Sequence, residues 1–144
     1  MIKIASKSLQ DLEFPTVRKQ ISELCTTQMG IEKALEIVPY NSYNDTIFGL
    51  NQTNEYVSSY MQDSKIPNHG FDAVHREIKL LGIENAVLEI GGFRKITSLS
   101  QTVNDQLRFF NKFKELYPSL YKTTEDVEYT KVIIERIDEV IDRF

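Results

Sequence analysis

Tryptophan is absent and cysteine occurs once, at Cys25, in a chain of 144 residues. A single thiol excludes an internal disulfide, and beside Leu24 it reads as buried filler rather than a reactive group. No apolar run approaches the ~18 residues of a membrane-spanning helix, and the opening MIKIASKSLQDLEF lacks the apolar core and small-residue cleavage site of a secretory signal. The expectation is a soluble, cytoplasmic protein with no membrane partner. The six glycines are scattered, and nowhere do they form the Gly-rich turn ending in Lys-Ser/Thr that cradles phosphates. No nucleotide, metal or other cofactor site is therefore expected within the chain. His69 and His75 are not accompanied by the cysteine or spaced carboxylate that would complete a metal set. Dense Lys/Arg blocks are missing too, and the net charge is −4. That balance excludes the basic footprint of an autonomous nucleic-acid binder, so any DNA contact must be local and weak.

What is present is an ordinary globular composition, 41% hydrophobic and 26% charged, of a length that can bury one core. A single helical domain spanning 1–144 is the expectation. Its organising stretch is Leu88 to Tyr117, where Phe93, Ile96, Leu99, Val103, Leu107, Phe110, Phe113 and Leu116/Tyr117 recur at steps of three and four. That period puts them on one side of a helix, and Pro118 ends it. Roughly 28 residues at ~1.5 Å each make a rod of about 40 Å, long enough to serve as a lever or strut. Gly91 and Gly92 in its first turn cost helix propensity, which argues for a neighbour packed close against them.

The remaining segments read as shorter helices. Met1 to Ile4 is too short to assign. Ser8 caps a turn carrying Leu9 and Leu12, and Pro15 stands at the first position of a helix whose face is Val17, Ile21, Leu24 and Cys25. Ile31, Ala34, Leu35 and Val38 form a third stripe that Pro39 stops. Ser42 and Asp45 resemble a capping box that opens a fourth helix with Ile47, Leu50, Val57, Tyr60 and Met61 as its stripe. Asn54 fills a polar step within it. Asp63 to Gly70 is a loop, and Asp72 caps a fifth helix over Val74, Ile78 and Leu81 that Gly82 ends. Thr123 or Thr124 begins a last helix, with Val127, Ile133/Ile134, Ile137, Val140/Ile141 and Phe144 on its apolar face. The sum is an all-α, elongated bundle of about six or seven helices, with one long central helix and a long carboxy-terminal one.

Candidate chemistry is sparse. Glu84 with Glu89, or Asp138 with Asp142, have the spacing of a solvated helix face, and no catalytic residue is assigned. Arg94, Lys95, Arg108, Lys112 and Lys114 punctuate the long helix with Phe109 among them. These five are the candidates for contact with phosphate or a protein partner, against the plainer reading of an exposed polar face.

The order of short motifs carries further information. Leu9-Gln-Asp-Leu-Glu-Phe14, then Thr27-Gln-Met-Gly30 leading to Ala34-Leu-Glu-Ile-Val-Pro39, resembles the amino-terminal start of the type II MutS proteins. Asn51-Gln-Thr-Asn-Glu-Tyr56, the loop Pro67-Asn-His-Gly-Phe-Asp72 and Leu88 opening a long helix are similar to the same family in the same order. The resemblance implies a helical core and lever region of a larger protein, followed there by a clamp, a dimerising ATPase domain and often a nuclease-type domain. It further implies ATP, Mg, DNA and homodimer formation for that parent protein, which would act in mismatch repair or recombination control. None of those functional residues has a position in this chain. An independent all-α adaptor that binds protein partners is the alternative expectation.

Overall fold

The computed structural model describes residues 4–141. Among the described residues there are eight helices and no strand: α1 Ser6–Asp11, α2 Phe14–Glu23, α3 Gln28–Leu35, α4 Tyr43–Ser59, α5 His75–Leu81, α6 Ile90–Lys112, α7 Pro118–Lys122 and α8 Lys131–Val140. The all-α expectation holds. Met1 to Lys3, Asp142 and Phe144 lie outside the described residues. The chain divides into two compact units, Met1–Asn54 and Glu55–Phe144.

In the first unit, local chemistry sets the helix ends. Glu13, at φ 53°, occupies the left-handed region and separates α1 from α2, whose start carries Pro15. The side chain of Thr27 accepts from the amide of Gly30 at 3.0 Å, so α3 begins before that glycine. Ser42 caps α4 as its sequence suggests: the Asp45 amide donates to Ser42 Oγ at 3.1 Å, and that hydroxyl donates to the Asp45 carboxylate at 2.6 Å. The α2 and α3 helices pack together. Arg18 bridges them by donating to the carbonyls of Leu35 at 3.0 Å and Ile37 at 3.5 Å, which answers otherwise orphaned groups at the end of α3.

The buried face of α2 is not the apolar stripe. Ser22 is buried and Phe14, Arg18 and Cys25 are half-buried, while Val17, Ile21 and Leu24 are exposed, Leu24 to 84%. On α4, likewise, Ile47, Leu50 and Val57 face solvent, as do Tyr60 and Met61 just past its end. On α2, which packs against α3, the small Ser22 takes the interior position. Gly49 leaves room for the Tyr40 ring, since a Cβ there would stand 2.5 Å from the Tyr40 hydroxyl.

In the second unit α6 is the centre. Gly92, Ile96, Ser100, Asn104, Leu107 and Phe110 are its buried residues, at steps of four and then three. The expected face is thus right from Ile96 onward, but its middle is polar: Leu99 and Val103 are only half-buried, beside Ser100 and Asn104. α6 packs on α8, on α5 and on α7. The α5 contact explains Gly92, where a Cβ would approach Leu88 Cδ1 to 2.6 Å and Glu77 Cγ to 3.2 Å; Gly91 has nothing within 4 Å. α5 buries Val74 and Glu77, whereas Ile78 and Leu81 are exposed. Its N-cap is Val74 without a side-chain bond, so Asp72 does not cap it.

α6 ends at Lys112 with Phe113 as its C-cap, short of the expected Tyr117, and leaves Lys114 in the turn that follows; Pro118 therefore does not stop it but supplies the first turn of α7. The hydroxyls of Thr123 and Thr124 donate back to the carbonyls of Leu120 at 2.6 Å and Tyr121 at 2.9 Å. They close α7 instead of opening the next helix, and α8 starts at Lys131 with Thr130 as its N-cap.

Candidate functional site

Two buried polar anchors, Asn104 and Glu77, and the half-buried Glu55 fix α6 and its surroundings. Asn104, 4% exposed, accepts through Oδ1 from the Thr130 amide at 2.9 Å, while the Thr130 hydroxyl lies 3.2 Å from the same oxygen and 3.3 Å from the Ser100 carbonyl. This satisfies an amide at the start of α8 that has no helical partner. Near the start of α6, Lys95 Nζ meets the Glu77 carboxylate at 3.3 Å. The Glu77 carboxyl is held below the usual carboxylate range first by a hydrogen bond from its own amide, then by Lys95 and Arg76, with burial opposing. Past the end of α6, Glu55 accepts from the amides of Ser119 and Leu120, both at 2.9 Å. A carboxylate across the first turn of a helix is well matched to its positive end.

The loop between α4 and α5 is tied to the same scaffold. Tyr117, 1% exposed, donates from its hydroxyl to the Ser64 carbonyl at 2.9 Å, and Gln106 Nε2 donates to the Pro67 carbonyl at 2.8 Å. Between that loop and the end of α4 lies an open cleft of about 240 Å³, walled by Tyr56 and Tyr60 on one side and Lys65, Pro67, Asn68 and His69 on the other. Tyr56 meets both Tyr60 and His69 edge to face, with centroids 5.5 Å and 5.9 Å apart. The two phenols share a hydrogen bond of 3.1 Å. Either can supply the hydrogen, and that bond, reinforced by burial, pushes Tyr56 up to about 12. His69 Nδ1 lies 3.4 Å from the Pro67 carbonyl, which can only accept, so the proton belongs on Nδ1. Nε2, 3.4 Å from Tyr56 Oη, is left as an acceptor.

The five cations named from sequence do not converge. At 3.6 residues per turn Arg94, Arg108 and Lys112 fall within about 40° of one another on the solvent side of α6, with Lys95 about 100° away. Arg94 and Arg108 are separated by about 21 Å along the axis. Lys95 is engaged by Glu77, Arg108 is paired with Asp105 at 2.6 Å, and Lys112 sits 5.0 Å from the Phe113 ring centre. Arg94 and Lys114 are exposed and make no ion pair among the described residues. The face is a thin line of charge rather than a patch.

Sequence reasoning missed Asn104, Glu55 and the Tyr56–His69 pairing. Asn104 had a signal, since it occupies the step of four between Ser100 and the buried Leu107. Glu55 and the cleft had none, because their partners are distant in sequence. Among the described residues no group of three His, Cys, Asp or Glu side chains is arranged to hold a metal ion, and no helix is long and apolar enough to cross a membrane.

No family model matches the chain, and no solved structure matches it. Curated proteins do. The chain is 28% identical over 140 residues to the protein named Endonuclease MutS2 of Lactobacillus helveticus, covering 95% of this chain and 16% of that relative. It is 26% identical over 124 residues to the protein of the same name from Staphylococcus epidermidis, covering 85% of this chain and 15% of the relative. A Staphylococcus aureus protein of that name is 23% identical over 128 residues, with the same shares of 85% and 15%. The chain is therefore similar to MutS2 endonucleases over most of its own length, and it spans about one sixth of theirs.

Proposed function

We propose that this chain is the core and lever segment of a MutS-like DNA-binding ATPase acting in mismatch repair or recombination control, where rigid helices relay motion between a clamp and an ATPase domain. The observation that carries the reading is the anchoring of α6. A 23-residue helix, about 35 Å long, is pinned near its start by Glu77 and Lys95 and at mid-length by Asn104 and Thr130. A rod held along its length can transmit a displacement that a frayed helix would absorb. The similarity to proteins named endonucleases supports work on nucleic acid. In this reading ATP and Mg belong to the ATPase domain, copies of the parent pair there, and DNA is met mainly by other parts. No catalytic residue is assigned to the chain.

The test is made in the full-length protein. Replacing Asn104 by Ala removes the acceptor that holds the start of α8, and DNA-stimulated ATP turnover should fall towards the DNA-free rate while that basal rate persists. Unchanged stimulation in a variant with a lowered urea midpoint would refute the lever.

One observation favours a second reading, an all-α adaptor. Ile47, Leu50 and Val57 form an exposed apolar line on α4 that Met61 continues, as a helix-binding surface would. That reading requires the chain alone to capture an amphipathic helix saturably; calorimetry with such peptides decides it.

A further inference from the structure

We propose that the cleft between the end of α4 and the loop at 63–70 takes an unpaired nucleobase of a single strand, stacked against Tyr60, with the adjoining phosphate at Lys65. The proposal rests on the nucleic-acid part of the reading above and adds a site to which none of the five cations Arg94, Lys95, Arg108, Lys112 and Lys114 contributes.

Size is the first argument. A volume of about 240 Å³ lies below the ~300–1,000 Å³ of pockets that enclose drug-sized ligands, and suits one flat ring entering from solvent. Shape is the second. Tyr56 lies nearly perpendicular to both Tyr60 and His69, at interplanar angles of 77° and 76°, so neither neighbour is stacked on it. Tyr60 is 62% exposed. An open phenol face beside an ordered aromatic wall is what base stacking uses, and it is tolerant of sequence because every base has a π-face.

Chemistry is the third argument. Asn68 Oδ1 is occupied by the Gly70 amide at 3.0 Å, which leaves the Asn68 amide nitrogen to donate. Lys65 is exposed and makes no ion pair among the described residues. The wall therefore offers donors and one positive charge, and calls for an occupant with ring carbonyls and an anion. A proline-rich peptide would use the aromatics but leave the cation unanswered. The loop is already held to the scaffold through Tyr117 and Gln106, so binding need not order it first.

The test uses the 144-residue chain and fluorescence anisotropy of an end-labelled oligo(dT) of about 12 nucleotides at ~50 mM salt, where electrostatic contacts are still felt. Saturable binding is expected, about tenfold weaker for an abasic strand of equal length and about tenfold weaker for Tyr60→Ala. Tyr60→Phe, which keeps the ring, should bind within about twofold of the unaltered chain. Lys65→Gln should lower the slope of log affinity against log salt by about 0.7, one phosphate contact on a single strand. Circular dichroism and urea midpoints of both Tyr60 variants should match the parent chain, because the residue is exposed. Equal affinity for the abasic strand, no response to Tyr60→Ala, no saturable binding, equal affinity for blunt duplex, or displacement by a proline-rich peptide would each overturn the proposal. If single-strand binding fails while Asn104→Ala still uncouples DNA-stimulated turnover, the cleft falls and the lever stands; the reverse pattern removes the lever alone.

Discussion

Within Met1–Asn54 only Ser22 and Ala34 are buried among the described residues, whereas Glu55–Phe144 buries Val74, Ile96, Leu107, Phe110 and Tyr117 together with four polar side chains. Both regions place a proline in the first turn of a helix, Pro15 and Pro118, while the side-chain caps Thr27 and Ser42 belong to the first region alone among the described residues. Helix formation and helix burial are thus separable. The first region has its helices with little interior to stabilise them, and its apolar residues Leu12, Leu24 and Val38 lie in solvent at 74%, 84% and 69% exposure. The second has a core, and part of that core is polar.

The comparison can be broken most forcefully at Leu107. Leu107→Ala should cost ~2–5 kcal/mol by removing buried methyl groups and leaving a cavity, read as a lowered urea midpoint. An unchanged midpoint would mean that the second region has no better interior than the first. Next comes Asn104→Ala, which strands the half-buried amide of Thr130; a loss of ~1–3 kcal/mol is expected. Hydrogen exchange at Thr130 should accelerate with it. At the other extreme, Leu24→Ala on α2 should stay within ~0.5 kcal/mol, as for an exposed site. A larger cost there would show that the stripe of the first region is covered in solution.

The fourth expectation concerns acid. Glu77 has a folded value below its ordinary 4.5, so its contribution is present above the unfolded value and is lost as pH falls through the lower, folded one. The urea midpoint should therefore drop between pH 6 and pH 3 by more in the native chain than in Glu77→Gln. Identical acid dependence would place the carboxylate outside the α5–α6 contact.

Much of the fold was legible because helix signals are local. The period of α6, the Ser42–Asp45 cap and the Pro15 start all depend on residues within a few positions of each other. Burial was less legible. On α2, α4 and α5 the apolar stripe and the buried stripe differ, because Ser22, Ser59 and Glu77 take the interior positions. Periodicity reports where apolar residues lie, not which neighbour arrives. Of the candidate site, the five cations were readable as residues but not as geometry: Lys95 is engaged by a glutamate 18 positions away. The cleft was unreadable because Tyr56 and His69 come together only after the loop folds back.

Glu55 has a consequence for how the molecule is made. Its carboxylate waits for amides 64 and 65 positions later. At about 5–20 residues per second of synthesis, that is roughly 3–13 s during which the carboxylate leaves the ribosome with no destination. Tyr117 emerges only just before, so the Ser64 carbonyl waits nearly as long. The second region is therefore completed late, after the start of α7 and then α8 have arrived to meet Glu55 and α6, whereas the pairing of α2 with α3 needs only nearby residues.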